Sequence, residues 1–167
     1  MIYRIRVILD VKEDVLRDIE IDEAATLEDL HLAVTQAFGF LGNEMASFYS
    51  TNDEWEQGDE MPLESMDVEQ PNYSETLLNN VFSVDVHKLL YIYDFLNLWT
   101  FFIELMEVGE LIVGTNYPNL IHAEGEVPEE APDKSFESET PFKEEGFEDN
   151  LDEENQDQQD YDESDFY

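Results

Sequence analysis

Cysteine is absent from the 167 residues, and its absence excludes disulfides, thiolate catalysis and cysteine-type zinc sites. Positive charge is scarce: seven lysines and arginines stand against 43 acids, for a formal net charge of −36. That balance repels phosphates, so direct duplex binding would need a basic patch that Arg4, Arg6, Lys12, Arg17 and Lys88 are too scattered to supply. Anionic membranes are disfavoured on the same ground, and basic proteins or divalent cations are the partners that electrostatics permits. No apolar run approaches the roughly 18 residues of a membrane span. The opening Met-Ile-Tyr-Arg-Ile-Arg-Val lacks the apolar segment and small-residue cleavage site of a signal peptide, so a soluble cytoplasmic protein is expected. Also missing are a Ser-His-Asp arrangement, a glycine-rich phosphate cradle and a Walker-type lysine. An enzyme acting on a phosphorylated substrate would lack obvious anion clamps.

The acids that are present spread over both parts of the chain. Residues 1 to 122 hold 24 acids and 5 bases, and residues 123 to 167 hold 19 acids and 2 bases. Apolar periodicity runs as far as about residue 130 and then stops. The expectation is one α+β domain over residues 1–130 and an acidic, disordered tail over 131–167, with no internal repeat.

The densest apolar and aromatic run, Leu89 to Leu105, organises the domain. Its β-branched and aromatic content predicts two antiparallel strands, Lys88 to Asp94 and Leu98 to Glu107, turning at Asp94 to Asn97. Both arms carry apolar residues at odd and even positions, which predicts central strands covered on both faces. Upstream, Tyr3, Ile5, Val7 and Leu9 alternate with Arg4, Arg6 and Asp10, a first strand, and Leu16 to Ile21 forms its hairpin partner. Thr26-Leu27-Glu28-Asp29 reads as a capping box opening a helix. Leu27, Leu30, His31, Val34 and Phe38 form its apolar stripe, and Gly39 closes it. A short strand is expected over Ser47 to Thr51. From Asn52 to Gln70 a surface excursion is expected, anchored by Trp55, Met61, Leu63 and Met66. Ser74 is read as a second N-cap before a short helix through Phe82, and the chain after Gly109 as a segment crossing the surface.

Tyr3-Arg4-Ile5-Arg6-Val7, Arg17, and Leu30-His31 running to Phe38-Gly39-Phe40 follow one another in the order of a known pattern. So do Tyr93-Asp94-Phe95 with Trp99, Tyr117-Pro118, and Gly125-Glu126-Val127-Pro128-Glu129. In these phrases the chain resembles the plasmid open-reading-frame-three-like family, also labelled insertion-element passenger or resolvase-like proteins. It departs from that pattern at Glu44-Met45, where the family has His-Leu, and at Leu96, Asn97, Leu98, Thr100 and Phe101, where the family is more polar. The resemblance implies an α+β fold with a ββα start and a mixed, largely antiparallel, β-grasp-like sheet. It implies no established activity, since the resolvase-like label comes from genomic neighbourhood.

The candidate pocket or family-motif residues are therefore His31, Asp94, Trp99, Arg17 and Tyr93. On an apolar helical stripe, a histidine is most often a core group bonded to a carbonyl or to a neighbour such as Asp94, and less often a catalyst or metal ligand. Asp94 at a hairpin mouth caps turn amides more often than it serves as a general base. Trp99 reads as core before ligand platform, and His87 and His122 as chance surface residues. The loop from Asn52 to Asp59 lacks the alternation and terminal glutamate of a calcium loop, so a solvated acidic face is expected there. No cofactor is implied. Three functions remain: a non-enzymatic protein engaging a basic partner, an enzyme or metal protein using His31 and Asp94, or a mobile-element accessory protein affecting DNA indirectly.

Overall fold

A computed structural model describes residues 1–65 and 67–132 of the chain. The expected tail lies outside the described residues from 133 onward, and so does the expected anchor Met66. Seven strands and one α-helix follow in the order β1 (Ile2–Leu9), β2 (Leu16–Asp22), α1 (Leu27–Phe38), β3 (Ala46–Ser50), β4 (Glu60–Pro62), β5 (Lys88–Tyr93), β6 (Trp99–Gly109) and β7 (Asn119–Glu124). They form one sheet in the order β4-β3-β5-β6-β1-β2-β7, a sheet-rich α+β fold. Each adjacent pair is antiparallel. The sheet is thus antiparallel rather than mixed among the described residues, because hairpins and returning strands, not helical crossovers, join neighbours.

Alternation decides which face is buried. Tyr3, Ile5, Val7 and Leu9 of β1 are all buried on the face that α1 covers, together with Phe101 and Ile103 of β6 and Tyr91 of β5. α1 begins as its sequence requires: Thr26 Oγ1 accepts from the Asp29 N–H at 3.1 Å, and the Asp29 carboxylate accepts from the Thr26 N–H at 3.0 Å. Gly39 closes it at φ 86°, a left-handed value that glycine adopts without steric cost. The stripe Leu27, Leu30, His31, Val34 and Phe38 is buried throughout.

The opposite face carries a smaller cluster of Tyr49, Leu90, Ile92 and Leu98, against which Trp55, Phe95 and Phe102 pack. β5 is accordingly buried on both faces, as expected. β6 is buried on the helix side but only partly on the other, and its end from Met106 to Val108 is exposed.

Three further expectations require correction. The excursion from Asn52 to Gln70 contains β4, which pairs with β3 through Ser47–Pro62, Phe48–Met61 and Tyr49–Glu60. The segment expected only to cross the surface after Gly109 contains β7, which adds to the outer edge of β2. Ser74 does not cap a helix: a single 3₁₀ turn forms at Leu78–Asn80, with no side-chain cap. The carbonyls of Ser74 and Thr76 instead accept from Glu28 and Leu27, the first amides of α1, at 3.1 and 2.9 Å. Helix starts leave such donors orphaned, and this strap satisfies two of them.

Candidate functional site

The loop from Phe40 to Met45, between α1 and β3, roofs a cleft floored by His31. The cleft has a volume of about 300 Å³, and its lining includes Glu28, His31, Gly42, Glu44, Met45 and Glu64. His31 is 6% exposed. Its Nδ1 meets the Tyr91 hydroxyl, and its Nε2 lies 3.2 Å from the Gly42 carbonyl oxygen. Gly42 is held from its other side too, because its N–H donates to the Tyr93 hydroxyl at 3.0 Å.

Burial assigns the protons in this chain of bonds. It pushes the Tyr91 phenol well above its ordinary value, assisted by Tyr93, so Tyr91 keeps its proton and donates. Burial also lowers the His31 imidazole, against the opposing influences of the Gly42 carbonyl and Glu28. A neutral imidazole accepts at Nδ1 from Tyr91 and donates from Nε2 to Gly42. Both ring nitrogens are then committed to the fold, leaving no lone pair for a proton transfer or a metal.

The histidine therefore titrates in a definite direction. Its folded-state value lies below that of the unfolded chain, near 6.5, so the unfolded state takes the proton more readily as pH falls. The stability tied to neutral His31 is whole above about pH 6.5 and declines below it. Compared with His31→Gln, which keeps one acceptor and one donor, the native chain should lose relative stability between about pH 7.5 and 5.5 in urea unfolding. Parallel pH profiles for the two proteins would refute this.

Of the five residues singled out from sequence, three gather here. His31 and Tyr93 have ring centroids 6.1 Å apart, and Phe40 bridges Tyr93 at 5.4 Å to Trp99 at 4.9 Å. Asp94 follows Tyr93 but turns its carboxylate into its own hairpin, accepting from the Leu96 N–H at 3.1 Å and from the Asn97 side-chain Nδ2 at 2.7 Å. It does not line the His31 cleft, so the geometry lends no support to chemistry shared by His31 and Asp94. Arg17 lies at the far end of α1. Its guanidinium donates to the carbonyls of Ala37, Leu16 and Glu124 at 3.0, 2.8 and 2.9 Å, and stacks 4.9 Å from the Phe38 ring centre. A cation there complements the negative end of the helix and ties it to β2 and β7. Tyr91, which sets the His31 tautomer, carries no sequence signal beyond its place in the central strand, because its partner lies 60 positions away.

Among the described residues no group of three or more His, Cys, Asp and Glu side chains is placed to hold a metal ion. Nor is any helix there long and apolar enough to cross a membrane. The cleft walls carry Glu28, Glu44 and Glu64, and their charge favours a cationic group over an anionic one.

The chain is similar to known proteins both in family and in fold. A family model described as plasmid pRiA4b ORF-3-like protein matches residues 1–166, in accord with the resemblance carried by the motifs above. A crystal structure of a protein of unknown function from Methanosarcina mazei Go1 is similar in fold, with a TM-score of 0.64 at 22% identity over 73% of this chain and 68% of that one. No curated protein matches the chain.

Proposed function

We infer a role from the premise that this chain belongs to the plasmid pRiA4b ORF-3-like family, and we propose a non-enzymatic interaction protein of the cytoplasm that engages a basic partner through its acidic surface and tail. The observation behind this reading is the fate of the bases. Residues 1 to 132 hold 28 acids and 5 bases. Arg4 is bound by Glu20 and Glu107 at 2.9 Å each, and Arg6 by Asp18 at 2.8 Å. Arg17 is buried on backbone carbonyls. Lys88 lies 5.0 Å over the Trp55 ring and 3.6 Å from Asp53. With four of five bases engaged within the fold, the remaining carboxylates present an almost unopposed negative field, which speeds association with basic proteins and discourages nucleic acid.

The test is a pull-down with the full chain and with a chain ending at Pro132, which keeps the core contacts of Val127 and Ala131. The expected result is a basic protein retained by the full chain at low salt and released near physiological salt, as the Debye length shrinks toward about 8 Å. Loss of that protein on truncation assigns the docking to the tail. If neither chain retains a basic protein at low salt, the reading fails.

A further inference from the structure

We propose that the free edge of β7, with the groove between it and α1, accepts an extended basic peptide as an eighth strand. The proposal rests on the basic-partner reading above and locates its contact. Two strands end the sheet, and they differ. β4 has three residues and finishes in Pro62, the short, proline-bearing form that blunts an edge. β7 has six residues, Asn119–Glu124, with neither lysine nor proline, and five of the six are exposed. It pairs with β2 on one side, and among the described residues no strand pairs with its other side. Leu120 and Ile121 on it are 48% and 40% exposed.

Beside this edge, on the helix side of the sheet, runs a groove of about 300 Å³ whose lining includes Ile19, Ala33, Gln36, Ala37, Pro118 and Leu120. Ala33 and Ala37 sit one helical turn apart, and their small side chains leave the space that longer ones would fill. A strand added to β7 would direct every second side chain into this groove and the others to the opposite face. Apolar residues suit the groove. On the opposite face the register places His122 and Glu124 of β7, with Asp18 and Glu20 of β2 beyond them already paired to Arg6 and Arg4, so it is Glu124 and the overall negative field that suit lysines there. The net charge of −36 favours such a peptide over a second copy of this chain, because two copies would bring like fields together at the edge.

The probe is a fluorescein-labelled octapeptide of alternating lysine and valine, titrated against the full chain by anisotropy, with oligolysine as a charge-only control. Two further peptides are methylated on the backbone nitrogens of either the valines or the lysines. All N–H groups of one set point to the same side of a strand, so strand addition tolerates one methylated set and not the other. The expected result is binding by the octapeptide, retained by one methylated form, lost by the other, and weakened at least about tenfold by Leu120→Lys. Leu120 is half-exposed, and near-UV circular dichroism confirms that the variant is folded. If both methylated peptides and oligolysine bind like the parent, the edge proposal fails while the basic-partner reading stands. If no basic peptide binds at low salt, both fail. A dimer in sedimentation that Leu120→Lys dissolves would make the occupant a second copy and overturn the peptide.

Discussion

Replacing Phe101 with alanine is expected to lower the unfolding free energy by about 4 kcal/mol, the middle of the range for truncating a buried aromatic side chain to alanine. The same change at Phe102, its neighbour in β6, should cost about 1–2 kcal/mol because that ring is only partly removed from water. Phe101 is fully buried. Its ring lies 5.0 Å from Phe38, 5.3 Å from Tyr91 and 6.2 Å from Phe40. Those neighbours belong to α1, to β5 and to the loop that roofs the His31 cleft. A cavity bounded by three separately anchored elements cannot close by moving any one of them, so the lost contacts stay lost. Phe102 points to the other face and packs on Trp55 at 5.1 Å, under a surface loop that can settle into the gap. Urea unfolding with an unchanged denaturant slope measures both changes. Equal losses would mean that the helix-covered face is not the principal core.

How much of this was legible beforehand depended on how local each signal is. The helix from Leu27 to Phe38 was readable because its cap, its stripe and its closing glycine all lie within 14 residues of one another. The hairpin at Asp94 was readable for the same reason, and its carboxylate accepts from the Leu96 N–H of the turn and from the Asn97 side chain, as a short acidic side chain does there. β7 was not readable. Its residues are exposed on both faces, so they carry no period-two signal, and its partner β2 lies about 100 positions upstream. Ser74 misled because its segment has the composition of a helix start. A distant demand claimed it: the bare amides of α1 took the carbonyls a local helix would have used. At the candidate site, His31 was visible as a polar interruption of an apolar stripe, whereas its bonds to Tyr91 and Gly42 depend on the closed fold. Arg17 entered through family resemblance alone. Its role at the end of α1 follows from bonds to three carbonyls scattered over 109 positions.

Gly125 opens one of the phrases that carry the family resemblance, and Gly125→Ala should destabilise the protein by about 3 kcal/mol. Two effects combine there. The residue has φ 82°, in the left-handed region where a Cβ costs roughly 1–2 kcal/mol. A Cβ would also meet the Asp14 carbonyl and come within 2.9 Å of the Val15 Cα. Both are backbone atoms at the corner between β1 and β2, so neither can rotate aside, and the end of β7 must lift from β2. Lifting it withdraws the Glu124 carbonyl from the Arg17 guanidinium, 2.9 Å away, and leaves a buried cation short of an acceptor. Gly114→Ala provides the control. That glycine has φ 92°, but nothing lies within 4 Å of its added Cβ, so it should show the conformational cost alone, about 1 kcal/mol. The excess at Gly125 measures the clash. Hydrogen exchange should place that excess in β7 and the adjoining edge of β2, with the amides around Tyr91 and Phe101 still protected. Equal costs at the two glycines would show that the β7 corner yields without resistance, and the edge strand would then not be the rigid platform that strand addition requires.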